Sequence, residues 1–173
     1  SLRPERLLQR NAKTGRGDGL MMAEAAGALL RGTDRFYGHV QSIDAIDNPA
    51  LWPYPVVDHP MCAGVTVNAS GRRFANEGLG GVCQANAIAQ LADPLSAYLI
   101  MDAAMWQAEP GLTTTVAANP AMTAAGGDLM TAPDLDTLAA RIGVPDAALQ
   151  ETVRAHNDAV AANDFARLAV PRS

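Results

Sequence analysis

Apolar positions recur along this 173-residue chain with two different periods. In "GLMMAEAAGALL", residues 19–30, Leu20, Ala23, Gly27 and Leu30 return at spacings of three and four, which predicts a helix with one apolar face. Asp18 stands just before it, where a carboxylate can accept hydrogen bonds from first-turn N–H groups. "VCQANAIAQLA" (82–92) reads as a helix rich in small residues, "PERLLQR" (4–10) as a short one with Pro4 in its first turn, and "AAMWQAE" (103–109) as a helical turn. Two helices close the chain. "APDLDTLAARIG" (132–143) stops at Gly143, and "VPDAALQETVRAHNDAVAAN" (144–163) begins at Pro145 and carries Leu149, Val153, His156 and Val160 on one face.

The alternating period is weaker. "RFYGHVQSI" (35–43) is aromatic and β-branched and predicts a strand, and the continuous apolar run in "SAYLIMD" (96–102) predicts a buried one. "AGVTVNASGRRFANE" (63–77) predicts a β-hairpin turning at Asn68-Ala69-Ser70-Gly71, with Gly71 supplying a positive φ. Between these lies "DAIDNPALWPYPVVDHP", four prolines in 17 residues, an irregular loop long enough to be functional. Residues 109–131 read as mostly irregular. The pattern is that of an α+β domain.

Composition narrows the classes. Hydrophobic residues at 49% and charged residues at 18% exclude a disordered chain. A net charge of −5 without a basic cluster argues against nucleic acid as partner. No apolar run reaches the ~18 residues of a membrane span, so no membrane partner is expected. Cys62 and Cys83, without C-x-x-C spacing, suit a reduced, cytoplasmic chain, and His39, His59 and His156 have no metal-ligand spacing, so no metal site is expected.

The glycine turn "TGRGDG" (14–19) carries the first candidate chemistry. Its free N–H groups would favour an anion, but G-x-G-x-G is not the dinucleotide fingerprint, and Asp18 would repel a phosphate. An aspartate there suits a neutral donor better, such as a ribose hydroxyl or a flavin edge. Arg16-Gly17-Asp18 as an adhesion signal is a chance-level tripeptide. No G-x-S-x-G supports a serine triad.

Three stretches taken together resemble one family. "TGRGDGLMMAEAAGA" is similar to the T-G-x-G-D-G helix start of the flavoproteins that include fumarate reductases, succinate dehydrogenases, ketosteroid dehydrogenases and tricarballylate dehydrogenase. "GVTVNASGRRFANEG" resembles their G-h-x-V-N-x-x-G-x-R-F-x-N-E hairpin at Val67, Asn68, Gly71, Arg73, Phe74, Asn76 and Glu77. "LDTLAARIGVPDAALQETVRAHNDAV" resembles their two-helix stretch. The motifs follow the family's order.

The resemblance implies an FAD-dependent oxidoreductase of which this chain is a fragment. Residues 1–35 would be the helical tail of an FAD-domain segment. Residues 36–173 would be the capping domain, a small β-sheet or hairpin with packed helices, without the Rossmann-like FAD domain. It places Asp18 on the flavin and His39, Asn76 and Glu77 at the substrate. FAD would belong to the full-length protein and be bound weakly or not at all by the fragment. Its partners would be a small-molecule substrate and the missing FAD domain. Failing that, exposed apolar surface would make the fragment a non-catalytic domain that forms a homodimer. The family's arginine after the N-E pair is absent, with Gly80, Gly81 and Val82 in its place, and its arginine before the hairpin falls near Pro60. That shifts the expectation from fumarate reduction to another carboxylate or a ketone-activated C–C bond, with the catalytic residues unassigned.

Overall fold

The computed structural model describes residues 7–9, 12, 14–108 and 117–173. Among them are seven α-helices and one two-stranded sheet, an α+β protein. In chain order these are α1 (Asp18–Ala25), α2 (Asp58–Ala63), β1 (Val65–Val67), α3 (Gly81–Ala89), β2 (Tyr98–Ile100), α4 (Ala103–Gln107), α5 (Ala118–Ala124), α6 (Leu135–Ile142) and α7 (Asp146–Ala162).

Local signals explain the clearest elements. Asp134 accepts a hydrogen bond from Thr137 N–H at 2.8 Å and so starts α6. Gly143 ends it in the left-handed conformation, φ 72°, and the Val144 N–H returns to Ala139 O at 3.0 Å. Pro145, with φ −62°, then sets the entry to α7. Asp102 caps α4 through Met105 N–H at 2.7 Å.

β1 and β2 run antiparallel, with Val65 opposite Ile100 and Val67 opposite Tyr98. Their side chains meet α6 and α7 in a core of Val65, Val67, Ile100, Ala139, Ile142, Val144 and Leu149. A second, smaller core joins Ala45, Leu51 and Met122, with Trp106 packed against it.

The hairpin expectation holds at its turn and fails beyond it. Gly71 N–H donates to Asn68 O at 2.9 Å, and Gly71 has φ 70°. A Cβ there would stand 3.1 Å from Leu149 N, so the glycine also lets the turn lie on α7. The returning limb touches β1 only at the bridge from Val67 to Arg73. β2 is the true partner of β1, because Arg73 turns inward to an ion pair instead of continuing a ladder.

Four other expectations are corrected. Residues 35–43 are extended but form no strand until a 3₁₀ turn begins at Ile43. Their backbone is satisfied by side chains: Phe36 N–H donates to Asn86 Oδ1 at 2.9 Å, and Val40 N–H donates to Asp58 Oδ1 at 2.9 Å. Helix α1 ends at Ala25, not Leu30, since Gly27 takes φ 90°. On α7 the buried set is Leu149, Thr152, His156 and Ala159, while Val160 is exposed. Thr152 can be buried because its hydroxyl donates to Gly71 O at 2.7 Å. Part of the stretch 109–131 is helical, as α5; residues 109–116 lie outside the described residues. The short helix expected over 4–10 also falls largely outside them, and Leu7–Gln9 are not helical.

Candidate functional site

His39 sits on the extended segment beneath α3. The segment is fixed by Asn86 of α3, which also donates to Phe36 O at 2.7 Å. Asp58, the first residue of α2, fixes it at the other end. Its Oδ1 accepts Val40 N–H, and its Oδ2 stands 2.6 Å from His39 Nδ1, so one carboxylate holds both backbone and ring. Both side chains are largely buried, at 20% and 15% exposure. The Tyr37 ring packs edge-on to the imidazole at 5.3 Å between centroids.

His39 lines a cavity of about 820 Å³ whose wall includes Phe36, Tyr37, Trp52, Tyr54 and Leu95. No lysine or arginine is among the described residues lining it. Ser42 also lines it, but its hydroxyl donates to Asp44 at 2.8 Å, not to His39. Cys62 donates to Asp58 O at 3.2 Å. Burial, and then the Asp58 charge, push its thiol above the usual range, which suits a structural cysteine and not a nucleophile. Cys62 and Cys83 are both free thiols.

Asn76 and Glu77 lie elsewhere and do not line this cavity. Asn76 Oδ1 accepts Gly78 N–H at 3.0 Å and Ser173 N–H at 3.1 Å. Glu77 is fully buried and accepts Thr66 N–H at 2.9 Å. Arg73 grips it through two nitrogens, Nε at 3.0 Å and Nη2 at 2.5 Å, and donates to Val170 O at 2.7 Å. Burial alone would raise the Glu77 carboxyl, but the bonds from Arg73 and Thr66 outweigh it and hold it below the usual carboxylate range.

His156 completes this network. Arg172 donates to its Nε2 at 2.6 Å and also bonds the carbonyls of Cys62 and Gly64. Burial first, then the charges of Arg172 and Arg73, hold His156 below the ordinary histidine value. Both shifts act in one direction on stability. A depressed group binds its proton more readily in the unfolded chain, so folding weakens as the pH falls from the unfolded pKa towards the folded one. Acidification should therefore destabilise in two stages, the first below about 6.5 from His156 and the second below about 4.5 from Glu77. Denaturation followed against pH should lose its upper stage in His156→Gln; an unchanged upper stage would exclude His156 as its source.

Asp18 stands apart on α1. The residue capping this helix is Gly17, at φ 81°, and no side chain caps it, so the Asp18 carboxylate does not serve as the expected N-cap. α1 buries nothing: Leu20, Met21 and Met22 are 61–73% exposed. The start of the helix is open, since a Cβ on Gly17 before it or on Gly19 in its first turn would meet nothing within 4 Å. Sequence reasoning missed Asp58 and Arg172. Neither lies in a recognisable motif, and their partners are 19 and 16 residues away.

An α+β domain with an apolar, aromatic cavity, a histidine–carboxylate pair and an open glycine turn before a helix is the class that fold and site define. The family model described as "FAD binding domain" matches residues 8–167, and the chain belongs to this fumarate reductase/succinate dehydrogenase-like family of FAD-binding proteins. The family suggests FAD-dependent oxidoreductase chemistry. No curated protein and no solved structure matches the chain. Among the described residues no helix is long and apolar enough to cross a membrane. Nor do three His, Cys, Asp or Glu side chains among them converge on a metal position.

The described residues leave room at the glycine turn for one end of an FAD molecule. The turn at Gly17–Gly19 leaves backbone and the Asp18 carboxylate open to a flat ring edge or a ribityl hydroxyl. No G-x-G-x-x-G stands in the sequence to cradle the pyrophosphate.

Proposed function

We propose that this chain is the substrate-capping portion of an FAD-dependent oxidoreductase, acting on a C–C bond of a carboxylate or a ketone-activated substrate. The observation that carries this is the family match across residues 8–167, joined to an aromatic cavity with one histidine on its wall. Bound flavin would supply hydride transfer. Asp18 would accept a hydrogen bond from the flavin edge or its ribityl chain. His39 would meet the substrate, and the cavity would exclude water from it. Residues 1–35 are then the tail of an FAD-domain segment and 36–173 the cap. The adenine and pyrophosphate contacts come from a further domain, and the isolated chain is inactive and binds FAD weakly.

A second reading has one observation in its favour. The exposed Leu20, Met21 and Met22 of α1 suit an interaction domain that pairs with a second copy. Cofactor content separates the two. In the full-length flavoprotein, Asp18→Ala should lower the flavin-to-protein ratio of folded material while leaving its thermal stability within about 1 kcal/mol. Full flavin occupancy in that variant would defeat the Asp18 assignment. Dimerisation through α1 with no flavin in the full-length protein would favour the second reading.

A further inference from the structure

The geometry points to Asp58 as the positioning residue of the cavity: it fixes His39 in the Nδ1–H tautomer and leaves Nε2 as a hydrogen-bond acceptor for the ligand. This rests on the reading of the cavity as the substrate's seat.

Three contacts hold the carboxylate. His39 Nδ1 stands 2.6 Å from Oδ2, the Val40 N–H stands 2.9 Å from Oδ1, and α3 presses on it from above. The pressing residue is Gly81, the first of α3, and a Cβ there would fall inside the Asp58 carboxyl group. Gly81 thus makes room for this aspartate. The N-terminal end of α3 also favours a negative charge beside it.

A carboxylate accepts and cannot donate, so in the neutral form of the imidazole the one ring proton belongs on Nδ1 of His39. The other nitrogen, Nε2, has no partner among the described residues. Among the described residues no lysine or arginine lines the wall to seat a carboxylate. An unprotonated Nε2 accepts, so the group it meets on the substrate is a donor, such as a hydroxyl standing beside the carboxylate or ketone. The same arrangement of an aspartate on Nδ1 keeps a catalytic histidine in its working tautomer in serine proteases, where aspartate-to-asparagine exchange flips it.

Asp58→Asn tests this without any substrate. The asparagine keeps an oxygen for the Val40 N–H and offers an NH₂ to the ring, which must then accept at Nδ1 and carry its proton on Nε2. Long-range ¹⁵N–¹H correlation on the histidine-labelled full-length protein, at a pH where the ring is neutral, reads the tautomer directly. Nδ1–H in the wild type and Nε2–H in Asp58→Asn is the expected result. Nε2–H in the wild type, or Nδ1–H retained in the variant, overturns it. Should Asp58→Asn not fold, Gly81→Ala displaces the carboxyl and should lose the pure Nδ1–H state; its retention overturns the inference. Because the readout needs neither flavin nor turnover, its failure is distinct from failure of the oxidoreductase reading.

Discussion

Replacing Arg73 with alanine should cost about 3–5 kcal/mol of stability, the range for removing one partner of a buried ion pair. Arg73 is 6% exposed and Glu77 is fully buried, so water cannot take over the guanidinium's role. The variant leaves Glu77 with only Thr66 N–H among its inter-residue bonds and orphans the carbonyls of Val170 and Ala75. It also removes the tie from Val170 to Glu77, leaving the C-terminal segment held by Arg172 and Ser173. Chemical denaturation at neutral pH measures the loss. A loss under 1 kcal/mol would mean that the pair is solvated and that the resemblance at this R-F-x-N-E stretch concerns something other than the fold. Glu77 thus has a full structural occupation, whatever else the family resemblance implies for it.

His39→Ala in the flavin-loaded protein should lower kcat/KM by roughly 10²–10⁴, the range for a positioned proton-transfer or hydrogen-bonding group. Flavin content should stay normal, because nothing places His39 at the glycine turn. The variant removes a titratable side chain on the cavity wall that is tied to a largely buried carboxylate. Steady-state kinetics with unaltered flavin content is the expected pair of results. Unchanged kinetics would remove His39 from the substrate site and leave it a packing residue against Tyr37.

Sequence patterns were informative where the determinants are local. Gly143 and Pro145 mark the end of α6 and the start of α7 within a residue or two, and each acts on backbone only a few positions away. β2 was legible as an apolar run between turn signals, and Asn68 and Gly71 marked their turn. The failures at residues 35–43 and on α7 share one cause, which is satisfaction of polar groups by partners far along the chain. Residues 35–43 resemble a strand, yet Asn86 and Asp58 take the hydrogen bonds that a neighbouring strand would take. His156 is buried on α7 as its spacing with Leu149 implies, but the face is turned by Thr152, which hydropathy assigns to solvent and which Gly71 O meets in the interior. α1 carries a helical apolar stripe of which no residue is buried, so its pattern does not predict its burial.

The same division applies to the candidate site. His39 was legible only through a family resemblance, and its cavity and its partner Asp58 were legible in neither pattern nor motif. Asp18 was legible as a residue of the glycine turn, and the open approach around Gly17 and Gly19 is compatible with the cofactor role proposed for it.

Photolabelling of the full-length protein with an azido-substituted FAD, followed by peptide mapping, tests the central claim most directly. If this chain caps the flavin through the turn before α1, adducts form on the peptide containing residues 14–20, and unlabelled FAD suppresses them. Labelling confined to peptides outside this chain, or no competable labelling at all, would contradict it.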